Sequence, residues 1–204
     1  MAQASQPAAP APQREAGAPE ASVPAAPAGG YRWLICALLF LATVINYMDR
    51  QILGLLAPLL QRDIGWSQLA YSRIVMVFSG AYALGLLLAG RLVDRLGLKL
   101  AYGASILVWS AAAMLHAAVS SVGGFTLVRG LLGLGEGGHF PAAIKTAAEW
   151  FAPQERALAV GLFNSGANLG AVIAPALIPP IALAWGWRAA FVAVGALGLV
   201  WLLA

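Results

Sequence analysis

About six stretches of this chain are long and apolar enough to cross a bilayer core, which takes about 20 residues of helix. They run over residues 32–56, 72–90, 100–119, 124–150, 157–184, and from Trp187 to Ala204. The fourth has a glycine-rich middle, and the fifth is broken by Pro175 and by the pair Pro179-Pro180. Lipid offers a backbone no hydrogen-bond partner, so runs of this length must be helices that satisfy themselves. The expected fold class is therefore all-α: a polytopic membrane protein with a six-helix bundle over residues 31–204. The last run holds 18 residues, about 27 Å of helix, and no loop follows it, so the chain reads as a piece of a longer one.

Composition agrees with a membrane solvent. Hydrophobic residues make up 61% of the chain and charged ones 10%, where a soluble domain carries about 25%. The net charge of +4 could suggest nucleic acid, but the basic residues form no patch and read instead as topology signals. With the N-terminus in the cytoplasm, the inner flanks hold Arg32, Arg91, Arg95, Lys99, Lys145 and Arg156, and the outer ones only Arg62, Arg73 and Arg188. That excess places the N-terminus on the cytoplasmic side of the membrane, which is expected to be a plasma membrane. Trp33, Trp66, Trp150, Trp185 and Trp187 lie near span ends, as an interfacial belt requires. Residues 1–30 are rich in Ala and Pro and nearly free of large apolar side chains; they read as a disordered cytoplasmic tail, with no signal peptide. Cys36, the single cysteine, is expected to pack in the core.

Against this background four ionisable residues stand out: Asp49 and Arg50 in the first run, Arg129 and Glu136 in the fourth. Each costs roughly 2.5–3.5 kcal/mol near the centre of a span. Unpaired, the four would cost on the order of 10 kcal/mol, as much as the stability of a whole domain. They must therefore pair, and intramembrane charges of both signs mark an ion or solute path. Arg129, Gly133 and Glu136 recur at i, i+4, i+7, one helical face; Asn46 and Arg50 share a face of the first run, with Asp49 beside them. Helix rise places the pairs Asp49–Arg129 and Arg50–Glu136 at comparable depths. Two readings stay open at this level: a transport site, or two buried ion pairs that fix helix register.

The loop after the second run reads Gly90-Arg91-Leu92-Val93-Asp94-Arg95-Leu96-Gly97-Leu98-Lys99. This resembles the signature loop of the major facilitator superfamily, Gly-x3-Asp-Arg-x-Gly-x-Lys/Arg, with Leu100 where a further basic residue is usual. The run Asn46-Tyr47-Met48-Asp49-Arg50, and Arg129 followed by Glu136 and Phe140-Pro141, resemble the anion:cation symporter branch of that superfamily. Gly161 to Ala171 and Trp185 to Phe191 look closest to hexuronate and other sugar-acid transporters. Only the N-terminal half of such a protein is matched, so a missing C-terminal half is expected.

What the resemblance implies is proton-coupled symport of a small organic anion, a hexuronate or other sugar acid, by alternating access. It implies that Arg50 binds the substrate carboxylate and that Tyr47 and Tyr82 hydrogen-bond the solute. Asp49 and Glu136 would carry protons, with Arg129 neutralising one of them. Gly90, Asp94, Arg95 and Gly97 would form a conformational latch. The partners are the organic anion, protons and membrane lipid. Two alternatives remain: an uncoupled organic-anion facilitator, or a half-length membrane scaffold or regulator that moves nothing.

Asn164, Ser165 and Asn168 either line the cavity or bond helix to helix. Gly133-x3-Gly137 and Gly166-x3-Gly170 read as close-packing sites. His139 reads as a satisfied structural histidine, His116 as interfacial, and Lys145 as snorkelling to the inner surface. Gly133-Leu134-Gly135-Glu136-Gly137-Gly138 matches the dinucleotide pattern letter for letter, but it lies inside an apolar run and not after a strand, so no enzyme and no cofactor are inferred. No metal site and no ATP-binding loop are legible either.

Overall fold

A computed structural model describes residues 29–203, and among them every regular element is a helix. The expectation for residues 1–30 falls outside the described residues except for Gly29 and Gly30, a bend and a turn. The helices are α1 (Tyr31–Ile64), α2 (Gln68–Leu96), α3 (Leu98–Leu115) with a 3₁₀ turn over His116–Ala118, α4 (Val122–Gly137), α5 (His139–Trp150), α6 (Arg156–Trp185) and α7 (Trp187–Trp201). Four are long and apolar enough to cross a membrane: Tyr31–Ile64, Gln68–Leu96, Leu98–Ala118 and Arg156–Trp185.

Of the two proline-bearing runs, one bends near Pro141 as expected and the other departs from expectation. The run over 124–150 is not one helix. It breaks at Gly138, whose N–H bonds to the Gly135 carbonyl at 3.2 Å, and α5 begins beyond it. Pro141 has no N–H to offer the Gly137 carbonyl, which loosens the ladder there. The run over 157–184, by contrast, is unbroken: α6 passes through Pro175, Pro179 and Pro180. Its apolar length continues on both sides of the prolines, and a spanning helix tolerates the few lost bonds because neighbouring helices and local adjustments take up the freed groups.

Two pairs of long helices dominate the packing, α2 against α4 and α1 against α6, and glycine lets both approach closely. A Cβ on Gly133 would stand 2.5 Å from the Phe78 carbonyl oxygen of α2, and one on Gly137 would meet α2 at Gly85. A Cβ on Gly166 or Gly170 would stand 2.6 Å from the Phe40 or Val44 carbonyl oxygen of α1. The expected close-packing sites are therefore the two seams. The turn from α2 into α3 is a single residue, Gly97, at φ +77°. Only glycine takes that backbone without strain, which accounts for its place in the loop signature.

The two ends of the bundle are tied by separate polar contacts. At one end Arg32 pairs with Glu155 at 2.7 Å, Lys145 reaches Asp94 at 3.5 Å, and Arg156 donates to the Ala148 and Phe151 carbonyls. At the other, the Trp187 indole donates to Asp63 at 2.8 Å and Arg188 donates to Ala117 and Ser120. Lys145 thus reaches the surface at its end of the bundle, as expected, and meets an exposed acidic partner there. Trp66 and Trp187 are buried against Phe125, while Trp185 is exposed, so the tryptophans near span ends divide between core and surface. Cys36 is buried in the core.

Candidate functional site

The first helix carries Thr43, Asn46, Tyr47 and Arg50 at i, i+3, i+4 and i+7, a single polar stripe. It faces a cavity of about 250 Å³, closed by Tyr82 of α2, His139 and Phe140 of α5, and Asn164 of α6. Every helix in this wall except α5 is held by the two glycine seams, so the backbone around the cavity is rigid where the side chains meet it.

Arg50 is the centre of the site. Its Nε donates to Glu136 Oε2 at 2.6 Å. Its guanidinium carbon lies 4.4 Å from the ring centre of Tyr82 and 5.1 Å from that of Tyr47. The Arg50 side chain keeps 25% of its surface, while Glu136 has none. The second carboxylate oxygen of Glu136 has no protein partner. A guanidinium offers five donors in a planar fork, so Arg50 can hold Glu136 with one edge and a second anion with another. The flanking aromatic faces hold the cation in place without competing for its hydrogens.

The other charge pair does not form as expected. Asp49 is 1% exposed, and both its carboxylate oxygens lack a partner. Arg129 bypasses that carboxylate and donates to main-chain oxygens of α1, Asp49 O at 3.1 Å and Arg50 O at 2.9 Å, with Phe78 4.7 Å from its guanidinium carbon. Each carbonyl has a second lone pair free after its helical bond. Arg129 meets the side of α1 where those oxygens are in reach, from a position about two turns of α4 away from Glu136. The four charges are thus gathered where side chains of α4 reach α1, with one direct side-chain pair among them.

His139 is buried with both ring nitrogens bonded, Nε2 to Thr43 Oγ1 and Nδ1 to the Tyr102 hydroxyl, each at 3.0 Å. It is satisfied, as a structural histidine should be, yet it also lines the cavity. His116 is not interfacial: it is fully buried, with its ring stacked 4.9 Å from Phe191 and Nδ1 on the Ala112 carbonyl. The 3₁₀ turn after α3 tucks it inward, which no run of apolar letters could show.

Asn164 reaches the cavity, while Asn168, one turn further along α6, is exposed and outside its lining. Ser165 donates to the Leu162 carbonyl of its own helix. Gly90, Asp94, Arg95 and Gly97 are all exposed at the end of α2, away from the cavity, and among them Asp94 meets Lys145 of α5. Four cavity residues, Thr43, Asn46, His139 and Phe140, are not among the binding residues expected from the sequence. The stripe at 43, 46, 47 and 50 could have found Thr43 and Asn46. The other two depend on the break at Gly138, which turns α5 against α1.

The family model described as Major Facilitator Superfamily matches residues 39–204. The hexuronate transporter of Escherichia coli (strain K12) is 37% identical over 175 residues, covering 86% of this chain and 40% of that protein. The galacturonate transporter of Dickeya chrysanthemi is 36% identical over 174 residues, covering 85% of this chain and 50% of that protein. The chain therefore spans half or less of the length of these relatives. In shape it is similar to the crystal structure of a bacterial homologue of the human lysosomal transporter Spinster, with a TM-score of 0.73 and 24% identity over 87% of this chain and 43% of that one.

Proposed function

The chain belongs to the major facilitator superfamily, and from that premise we propose that it forms part of a carrier for a small organic anion, a hexuronate or related sugar acid, coupled to protons. It lies in the bacterial inner membrane with its N-terminus in the cytoplasm. The observation that carries this reading is Arg50. One buried-side partner, Glu136, holds it, while the guanidinium borders a cavity ringed by Tyr47, Tyr82, Asn46 and Asn164. A carboxylate entering that cavity meets a cation with donors to spare and hydroxyl and amide groups suited to a sugar. The substrates named for the relatives above are acids of this class.

Coupling follows from competition for one guanidinium. When a substrate carboxylate takes Arg50, Glu136 loses its direct partner. A carboxylate in a site with no exposed surface then takes a proton rather than stand uncompensated. Substrate and proton favour each other's binding by the same free energy, as linkage requires. Neutralising the pair also lowers the cost of closing the cavity away from water. Asp49, buried without a partner beside Arg129, is the second proton carrier, and Arg129 compensates it. Asp94, Arg95, Gly90 and Gly97, remote from the cavity at the end of α2, act as a latch between conformations. The facing wall of the cavity is contributed by the portion of the relatives' length that lies outside this match.

The test is Glu136→Gln in the intact protein, reconstituted in vesicles with an imposed pH gradient. Accumulation of glucuronate or galacturonate is expected to be lost while exchange of labelled solute across the membrane survives. Accumulation that persists unchanged in Glu136→Gln would show that Glu136 is not the coupling group, and failure of the unaltered protein to accumulate solute under the gradient would make it an uncoupled facilitator. Stabilisation by neutral hexoses and not by the acids would overturn the anion reading.

A further inference from the structure

A second and larger cavity, of about 480 Å³, shares no lining residue with the Arg50 site. It is a groove between α2 and α3, floored by α4. Its walls are Leu88, Leu92, Val108, Leu131 and Leu134, each more than a third exposed. The only polar hydroxyl in the lining, Ser105, is donated to the Gly135 carbonyl and so turned away from any occupant. At one mouth stand Arg91 and Arg95, one helical turn apart on α2, and both line the groove. Asp94, the acidic residue between them, is directed to Lys145 of α5. From Arg95 to Gly85, the far residue of α2 in the lining, is about 15 Å of helix rise, half of a bilayer core of about 30 Å. The groove therefore has the reach of one leaflet, an apolar body, and a cationic mouth at the end of the bundle richer in basic residues.

We propose that this groove binds an anionic phospholipid, with one acyl chain against α2, α3 and α4 and the phosphate on Arg91 and Arg95. Hydrocarbon is the occupant that five exposed aliphatic side chains require at this depth, and two adjacent guanidinium groups select a negative headgroup over a zwitterionic one. The site shares no residue with the Arg50 cavity, so lipid could hold the spacing of α2 and α3 whatever solute is carried.

The intact protein is reconstituted in nanodiscs of phosphatidylcholine with a minor fraction of phosphatidylglycerol, and retained lipid is counted by native mass spectrometry. Phosphatidylglycerol is expected to be retained preferentially. Arg91→Gln with Arg95→Gln should reduce that preference by about tenfold or more, since each arginine near an anionic surface contributes a factor of about five. Val108→Trp, at an exposed position in the wall, should block the groove and reduce retention with both arginines in place. Soluble glycerol phosphate should not displace the lipid. Equal retention in the double variant, retention unaffected by Val108→Trp, or displacement by glycerol phosphate would each overturn the proposal. So would cross-linking of a cysteine at Leu88 to protein, which would make the occupant another segment or a second copy of the chain.

Discussion

Arg50 and Arg129 are two arginines that link α1 and α4 by different attachments. Arg50 is bound side chain to side chain, to Glu136, and borders a cavity. Arg129 is 4% exposed and bound to two main-chain oxygens of α1. A carboxylate partner can be replaced by another carboxylate, whereas a backbone carbonyl cannot leave. The first arrangement is exchangeable and suits a binding site. The second fixes the distance between α1 and α4 and keeps the first in register. In the proposed carrier, one charge pair serves as the site while the neighbouring charge serves as a clamp.

Breaking the clamp should have the largest effect. Arg129→Ala leaves the buried Asp49 carboxylate without a nearby cation and is expected to cost on the order of 3–5 kcal/mol, read as loss of the monodisperse folded species in detergent. Glu136→Gln should leave folding intact and abolish gradient-driven accumulation; equal damage to folding from both variants would erase the distinction between clamp and site. Arg50→Lys keeps the charge but loses the planar fork, and is expected to weaken acid binding by about 10- to 100-fold, measured as the substrate concentration needed for thermal stabilisation. Asp49→Asn removes a buried charge that has no hydrogen bond to lose, so the melting temperature should hold or rise while proton-driven uptake falls. The smallest effect sharpens the edge of the cavity: Asn164→Ala should raise the half-saturating concentration roughly fivefold, the loss of about one hydrogen bond, and Asn168→Ala should leave it unchanged.

Much of the helical layout was legible because a bilayer allows few alternatives. Apolar length alone located the helices, although α1 extends eight residues past the expected limit at Leu56, to Ile64. Helix phase was enough to bring Arg50 to Glu136. It was not enough for Asp49 and Arg129, because phase gives a direction and not the choice between a carboxylate and the carbonyls beside it. The prolines differed in how well they could be read. A bend was expected near Pro141 and the helix does break just before it, at Gly138 in a glycine-rich stretch with little side chain to hold it, whereas Pro175, Pro179 and Pro180 do not break a helix braced by α1 along its length.

By itself the sequence determined the solvent, the helical class, the small-residue seams and the identity of the charges that must be compensated within them. These follow from local composition and period, which a chain carries before it folds. Only the tertiary structure decided that His116 is core, that α5 brings His139 and Phe140 to the cavity, that Arg129 binds backbone, and that α2 and α3 stand apart over α4. Those outcomes depend on how neighbouring helices divide a limited space, and the competition for each hydrogen-bond acceptor is settled between elements far apart in the chain.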